Sequence, residues 1–145
     1  MVASTETALI ARSPADVFAY TSDLDNEPSW DVEVVSIAAG ADEAGLEVGR
    51  RYEIRFVPFL AEAEGTLTVL EVEPGTRMVL QTDFAGLTSR ITYSYAAHGA
   101  GTRFTRHVEV HPVGMLRVVA PFVTRRVRRA NRRDVANLKR LLEAD

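Results

Sequence analysis

The chain contains no cysteine. That excludes a disulfide framework and any zinc site built on thiolates. It holds one tryptophan, Trp30, and one lysine, Lys139. No apolar run approaches the roughly 18 residues that a membrane-spanning helix needs. Met1 to Arg12 carries the charged Glu6 and no long apolar stretch, so no signal peptide is expected. Gly99-Ala100-Gly101 reads as a hairpin turn with no helix behind it, which excludes a phosphate-binding loop. No Ser-His-Asp order, paired-carboxylate motif, internal repeat or linker stands out. These absences point to a soluble, cytoplasmic protein with no cofactor.

What is present suits a single domain over residues 1–145. With 46% hydrophobic residues the chain can bury one real core. Its charge is unevenly spread. Residues 1–114 hold 8 Arg against 17 acids, a net of −9, while residues 115–145 carry 9 basic residues against 3 acids, a net of +6. The sum is the overall −3.

Residues 2–11 read as a first strand. Ser13-Pro14-Ala15-Asp16 is a helix start, with Ser13 as cap and Pro14 at the first helical position. A short helix follows through Tyr20 and is broken by Asp23-Leu24-Asp25-Asn26-Glu27-Pro28. Strand signals then recur at 32–38, around Tyr52-Ile54-Phe56, at 66–73, at Met78 and Leu80, around Ile91-Tyr93-Tyr95, and from Phe104 to Val110. Gly40 to Gly49 reads as a loop, Pro58 to Gly65 as an interruption, and both as natural lids. Residues 115–143 read as one helix, which Pro121 should kink or restart. At 100° per residue, Val123, Val127, Ala130, Val135, Leu138, Leu141 and Leu142 share one apolar arc. Arg125, Arg126, Arg128, Arg129, Arg132, Arg133, Lys139 and Arg140 fill the opposite arc. The fold class is therefore α+β: a curved antiparallel sheet of about seven strands wrapped around a long C-terminal helix, with short helices after the first strand.

The sequence resembles the START-like superfamily, also called SRPBCC, and within it the polyketide cyclase/dehydrase and lipid-transport group. The resemblance lies in Ser13-Pro14-Ala15-Asp16-Val17-Phe18, the Asp23 to Trp30 segment, Val48-Gly49, Gly101-Thr102-Arg103, and the terminal Asn137-Leu138-Lys139-Arg140-Leu141-Leu142. It implies the helix-grip fold, with a ligand cavity between sheet and helix. It transfers no catalytic residue, because members range from lipid and hormone binders to aromatase/cyclases and chaperone partners.

Two polar breaks in the apolar pattern mark the candidate pocket. Asp134, with Asn131 nearby, lies on the apolar arc of the long helix. Arg106 shares a strand face with Phe104, Val108 and Val110 if alternation is unbroken. A buried charge needs a partner or water, so Arg106 and Asp134 are expected to line the pocket, as a pair or around a polar ligand group. Tyr52, Phe56, Tyr93 and Tyr95 are candidates for an aromatic lining, against ordinary core packing. Trp30 either covers the pocket mouth or anchors the helix-to-strand connection. His107, Glu109 and His111 share a strand face, but that face should be solvent-exposed and no fourth ligand is evident, so no metal site is expected.

The expected function is binding of a small hydrophobic ligand, lipid or polyketide-like. The alternatives are a polyketide cyclase/dehydratase acting by cavity-templated folding and proton transfer, and an interaction module using the arginine face toward a protein or a membrane surface. Nucleic acid is not an expected partner, because that face lacks interleaved aromatics.

Overall fold

A computed structural model describes residues 1–39, 46–112 and 114–144. Most of the loop expected at Gly40 to Gly49, residues 40–45, lies outside these. The chain opens with β1 (Val2–Ile10), followed by α1 (Pro14–Ser22), a 3₁₀ turn at Leu24–Asn26 and the single turn of α2 (Glu27–Trp30). Six strands follow: β2 (Val34–Ala39), β3 (Arg51–Phe59), β4 (Glu62–Glu73), β5 (Arg77–Phe84), β6 (Leu87–His98) and β7 (Gly101–Pro112). A 3₁₀ stretch, Gly114–Val119, leads into α3 (Ala120–Glu143). This is the helix-grip fold.

Local chemistry sets these elements. The Ser13 hydroxyl accepts the Asp16 N–H at 3.2 Å and Pro14 opens α1, which needs no hydrogen bond from that position. Pro121 lies in the first turn of α3, so the helix begins there and the residues before it take the tighter 3₁₀ form. At 24 residues, α3 is about 36 Å long, enough to cross the sheet.

The seven strands form one sheet in the order β1-β7-β6-β5-β4-β3-β2, every neighbouring pair antiparallel. Among the described strands, only the β7–β1 pairing joins strands distant in sequence. Pairing shifts near Val34, between Arg55 and Phe59, and between Val69 and Glu71, and such irregularities bend and twist a sheet. The inner face holds Phe104, Val108 and Val110 on β7, Ile91, Tyr93 and Tyr95 on β6, and Met78 and Leu80 on β5. Val123, Val135, Leu138 and Leu142 of α3 close the core against it. Leu141 departs from the expected arc and is 40% exposed.

The expected interruption at Pro58 to Gly65 is instead a hairpin. β3 runs to Phe59, β4 starts at Glu62, and Leu60 and Ala61 make the turn with φ of 52° and 67°. Left-handed turn residues are usually Gly, Asn or Asp, so the sequence hid this one. Pro58 is tolerated because it sits where the β3–β4 register shifts and no ladder bond is lost.

Candidate functional site

A cavity of about 130 Å³ lies between the sheet and the N-terminal half of α3. The C-terminal half of the helix is tied down elsewhere: Glu143 accepts the Ala11 N–H at 2.9 Å, and Arg12 donates to the Leu142 carbonyl at 3.0 Å. The cavity wall is mainly apolar, with Phe56 and Phe59 from β3, Phe84 from β5, Leu87 and Ile91 from β6, Val108 and Val110 from β7, and Val123 and Val127 from α3. Phe56 and Phe84 stack at 4.4 Å between centroids. They can do so because Gly65 lies beneath them: a Cβ there would come within 3.2 Å of the Phe56 ring and 3.1 Å of Phe84. The volume is close to that of an engineered apolar cavity, about 150 Å³, that takes up benzene.

One end of this cavity is polar. Alternation along β7 turns Arg106 inward, where it is 4% exposed. Its Nη2 donates to Asp31 at 2.8 Å, and its Nη1 donates to Asp134 at 2.8 Å and to the Asn131 oxygen at 3.1 Å. The guanidinium lies over the rings of Trp30 at 5.3 Å and Tyr93 at 5.6 Å, a cation–π arrangement. Its Nε has no hydrogen-bond partner among the described residues. Asp134 also accepts the Val32 N–H at 2.8 Å. Asn131 donates to the Ser4 hydroxyl at 3.2 Å and to the Arg106 carbonyl at 3.1 Å, tying β1, β7 and α3 together. Behind the guanidinium, Tyr93 donates its hydroxyl to Glu27 at 2.8 Å.

One buried cation thus faces three buried carboxyls, Glu27, Asp31 and Asp134. They cannot all ionise cheaply. Burial, with the nearby Asp31 charge, pushes Glu27 up to about 8. The same two causes push Asp134 up to about 8, against the pull of Arg106. Burial also raises Tyr93, which stays a neutral donor. The cluster therefore offers a fixed cation beside a carboxyl, Asp134, whose hold on its proton is strengthened by burial. A fixed cation can polarise a carbonyl, and a neutral carboxyl can donate a hydrogen bond or a proton.

The open side of the cavity is framed by charge. Arg126 of α3 holds Glu33, just before β2, through two bonds at 2.7 Å and 3.2 Å. The same guanidinium lies 5.1 Å over the Phe59 ring.

Of the residues expected to form the pocket, Phe56, Arg106, Asn131 and Asp134 border this cavity. Trp30, Tyr52, Tyr93 and Tyr95 do not border it and lie in the core. Trp30 packs against Tyr93 and Phe104 with centroids at 5.6 Å and 6.5 Å, and its carbonyl accepts from Asn137 at 3.2 Å, so it anchors α2 to α3. Tyr95 is bound to the Thr21 hydroxyl at 2.5 Å, joining β6 to α1. Tyr93 reaches the site from behind, through Glu27 and the guanidinium. Four participants escaped the sequence reading: Glu27, Asp31, Glu33 and Arg126. The available signal was Glu27 and Asp31 four residues apart around Trp30, the spacing of one helical turn. His107, Glu109 and His111 line the outer sheet face: His107 contacts Thr5 at 2.6 Å and Glu109 at 3.1 Å. Among the described residues no group of acidic or histidine side chains is arranged to hold a metal ion, and no helix is long and apolar enough to cross a membrane.

Comparison with known proteins agrees with this architecture. TTHA0849 from Thermus thermophilus superposes with a TM-score of 0.75 at 14% identity, covering 97% of this chain and 96% of that one. The KanY protein gives 0.74 at 19% identity, covering 99% and 98%. DynU16, a protein of the dynemicin biosynthetic locus, gives 0.64 at 14% identity; the match covers 99% of this chain and 48% of that one. At these identities the likeness is one of fold. No curated protein matches the sequence. A family model does match, from residue 1 to residue 143, and the seven-stranded sheet with its long closing helix agrees with it. The chain is therefore a member of the polyketide cyclase / dehydrase and lipid transport family, within the START-like (SRPBCC) superfamily.

Proposed function

We propose that the protein binds a small, largely apolar molecule of lipid or polyketide-like character in the cavity beneath the N-terminal half of α3. One observation carries this reading: an apolar space of about 130 Å³ that ends on a buried, fixed guanidinium. A ligand seated against this apolar wall gains dispersion contacts and removes its own surface from water. The polar end orients the ligand, with Arg106 facing a carbonyl or hydroxyl oxygen and Asn131 and Asp134 beside it. In this reading the protein works as a cytoplasmic carrier or store.

A second reading, a cyclase or dehydratase, is favoured by Arg106 and Asp134 standing 2.8 Å apart at the polar end of the cavity, where burial raises the Asp134 carboxyl. Arg106 would polarise a ligand carbonyl, Asp31, which also borders the cavity, would take the α-proton, and Asp134 would protonate the hydroxyl as the C–O bond breaks, so that water leaves and a C=C bond forms, while the wall folds the chain. Turnover of a β-hydroxy ketone, lost in Asp134→Asn while binding persists, distinguishes this from simple binding.

The test of binding is a calorimetric titration with naphthol, whose rings match the apolar wall and whose hydroxyl can meet the polar end. Burying about 200 Å² of its surface at about 25 cal/mol per Å² gives about 5 kcal/mol, a Kd on the order of 0.1–1 mM. Val127 borders the cavity and is partly exposed, so Val127→Phe fills the space without breaking the core. It should weaken naphthol binding at least tenfold at unchanged thermal stability. Equal affinity in the two proteins would sink the cavity reading.

A further inference from the structure

A second groove abuts the cavity and shares Glu33, Arg126 and Ala130 with it. Its other walls are Val32, Phe122, Arg125, Arg129 and Arg133. The last three recur every four residues along α3, so they form one ridge with successive positions about 6 Å apart. All three are exposed, and among the described residues none has an acidic partner. Like charges at this spacing repel one another. The rest of the chain could have relieved them, since residues 1–114 carry 17 acids. Glu33 is the one acid in the groove wall, and Arg126 already holds it. Phe122, beside the ridge, is 76% exposed.

We infer that this groove is a head-group subsite for a phosphate monoester, and that the ligand of the cavity is an amphiphile. The inference rests on the cavity reading above. The apolar body lies between sheet and α3 with its far end toward Arg106, the reverse of the sense in which naphthol presents its hydroxyl, and the anionic head lies on Arg125, Arg129 and Arg133. Guanidinium forks suit this role because they meet phosphate oxygens in pairs of parallel hydrogen bonds. Arg126 stands where the two spaces meet. A head group that reaches it takes the place of the Glu33 carboxylate, so Arg126 exchanges one anion for another and never loses its partner. Release of Glu33 frees the contact that joins α3 to the segment before β2, and the cavity mouth opens as the head binds.

The test compares naphthol with naphthyl phosphate, the same apolar body with and without the anionic head, by calorimetry in phosphate-free buffer at low salt. The wild-type protein should bind naphthyl phosphate roughly ten- to a hundredfold more tightly than naphthol. In a variant carrying Arg125→Gln, Arg129→Gln and Arg133→Gln that preference should vanish, with naphthol affinity unchanged. All three side chains are exposed, so the variant should keep its circular dichroism spectrum. Glu33→Gln should tighten naphthyl phosphate alone, because the competing carboxylate is gone. Equal affinities in the wild type, or a preference that survives the triple substitution, overturn the inference while leaving the cavity reading intact. Failure of both probes to bind overturns both. Binding of anionic phosphatidylglycerol vesicles through the same arginines, with no preference between the two probes, assigns the ridge to a membrane surface and also overturns it.

Discussion

Arg106 is the residue on which the interior is organised. It brings a charge to the inner face of an otherwise apolar strand, and three acids, two rings and one amide gather around it. The excess of acid has a consequence for stability. Burial and the nearby Asp31 charge push the Glu27 and Asp134 carboxyls up to about 8 in the fold, against ordinary values of 4.5 and 3.8. Between those limits the folded protein binds protons that the unfolded chain has released. Stability must then fall as pH rises from about 4 to about 8, and level off above. Urea midpoints at pH 5, 6, 7 and 8 should decline in that order; midpoints that rise across the series would contradict the protonation of the cluster. Three members of this cluster were legible in the sequence and two were not. Arg106, Asn131 and Asp134 stood out because each breaks a regular apolar period. Glu27 and Asp31 did not, because α2 is a single turn and sets no period against which a buried acid can be noticed.

At the scale of elements, the cavity depends on strands that come close without side chains in the way. Gly65 on β4 is the clearest case. A Cβ there would lie 2.6 Å from the Asp83 carbonyl on the neighbouring strand, which cannot yield as a flexible side chain would. Gly65→Ala should cost about 1–3 kcal/mol. It should also disturb the Phe56–Phe84 stack, so its naphthol affinity should fall. An alanine variant with wild-type melting temperature would show that β4 and β5 can part without loss. α1 and α3 were legible through cap, proline and a 3.6-residue period, and β5 to β7 through alternation; α2 lies in the segment read as a break. The β3–β4 hairpin was not, since Leu60 and Ala61 carry no turn signal. Arg126 was misleading for a different reason. Its position on the polar arc of α3 is correct, but the arc's edge meets Glu33 and Phe59 at the cavity mouth.

The whole molecule divides its labour along α3. The C-terminal half completes the core through Val135, Leu138 and Leu142 and is fastened to the link after β1. The N-terminal half covers the cavity and carries the arginine ridge. Composition showed the charge asymmetry between body and tail, and strand order with one long helix showed the fold. Neither could show that the aromatic residues segregate, Phe56, Phe59 and Phe84 to the cavity and Trp30, Tyr52, Tyr93 and Tyr95 to the core. That division follows from where the sheet bends, which depends on pairing shifts that no single strand encodes.

The central claim, that the space beneath the N-terminal half of α3 receives an apolar ligand, is tested most directly by methyl-resolved NMR during a naphthol titration. The account predicts saturable one-to-one binding, with shifts concentrated on Ile91, Val108, Val110, Val123 and Val127 and little change at Ile10, Val17 and Leu138. Absence of saturable shifts, or shifts centred on the second group, would contradict it.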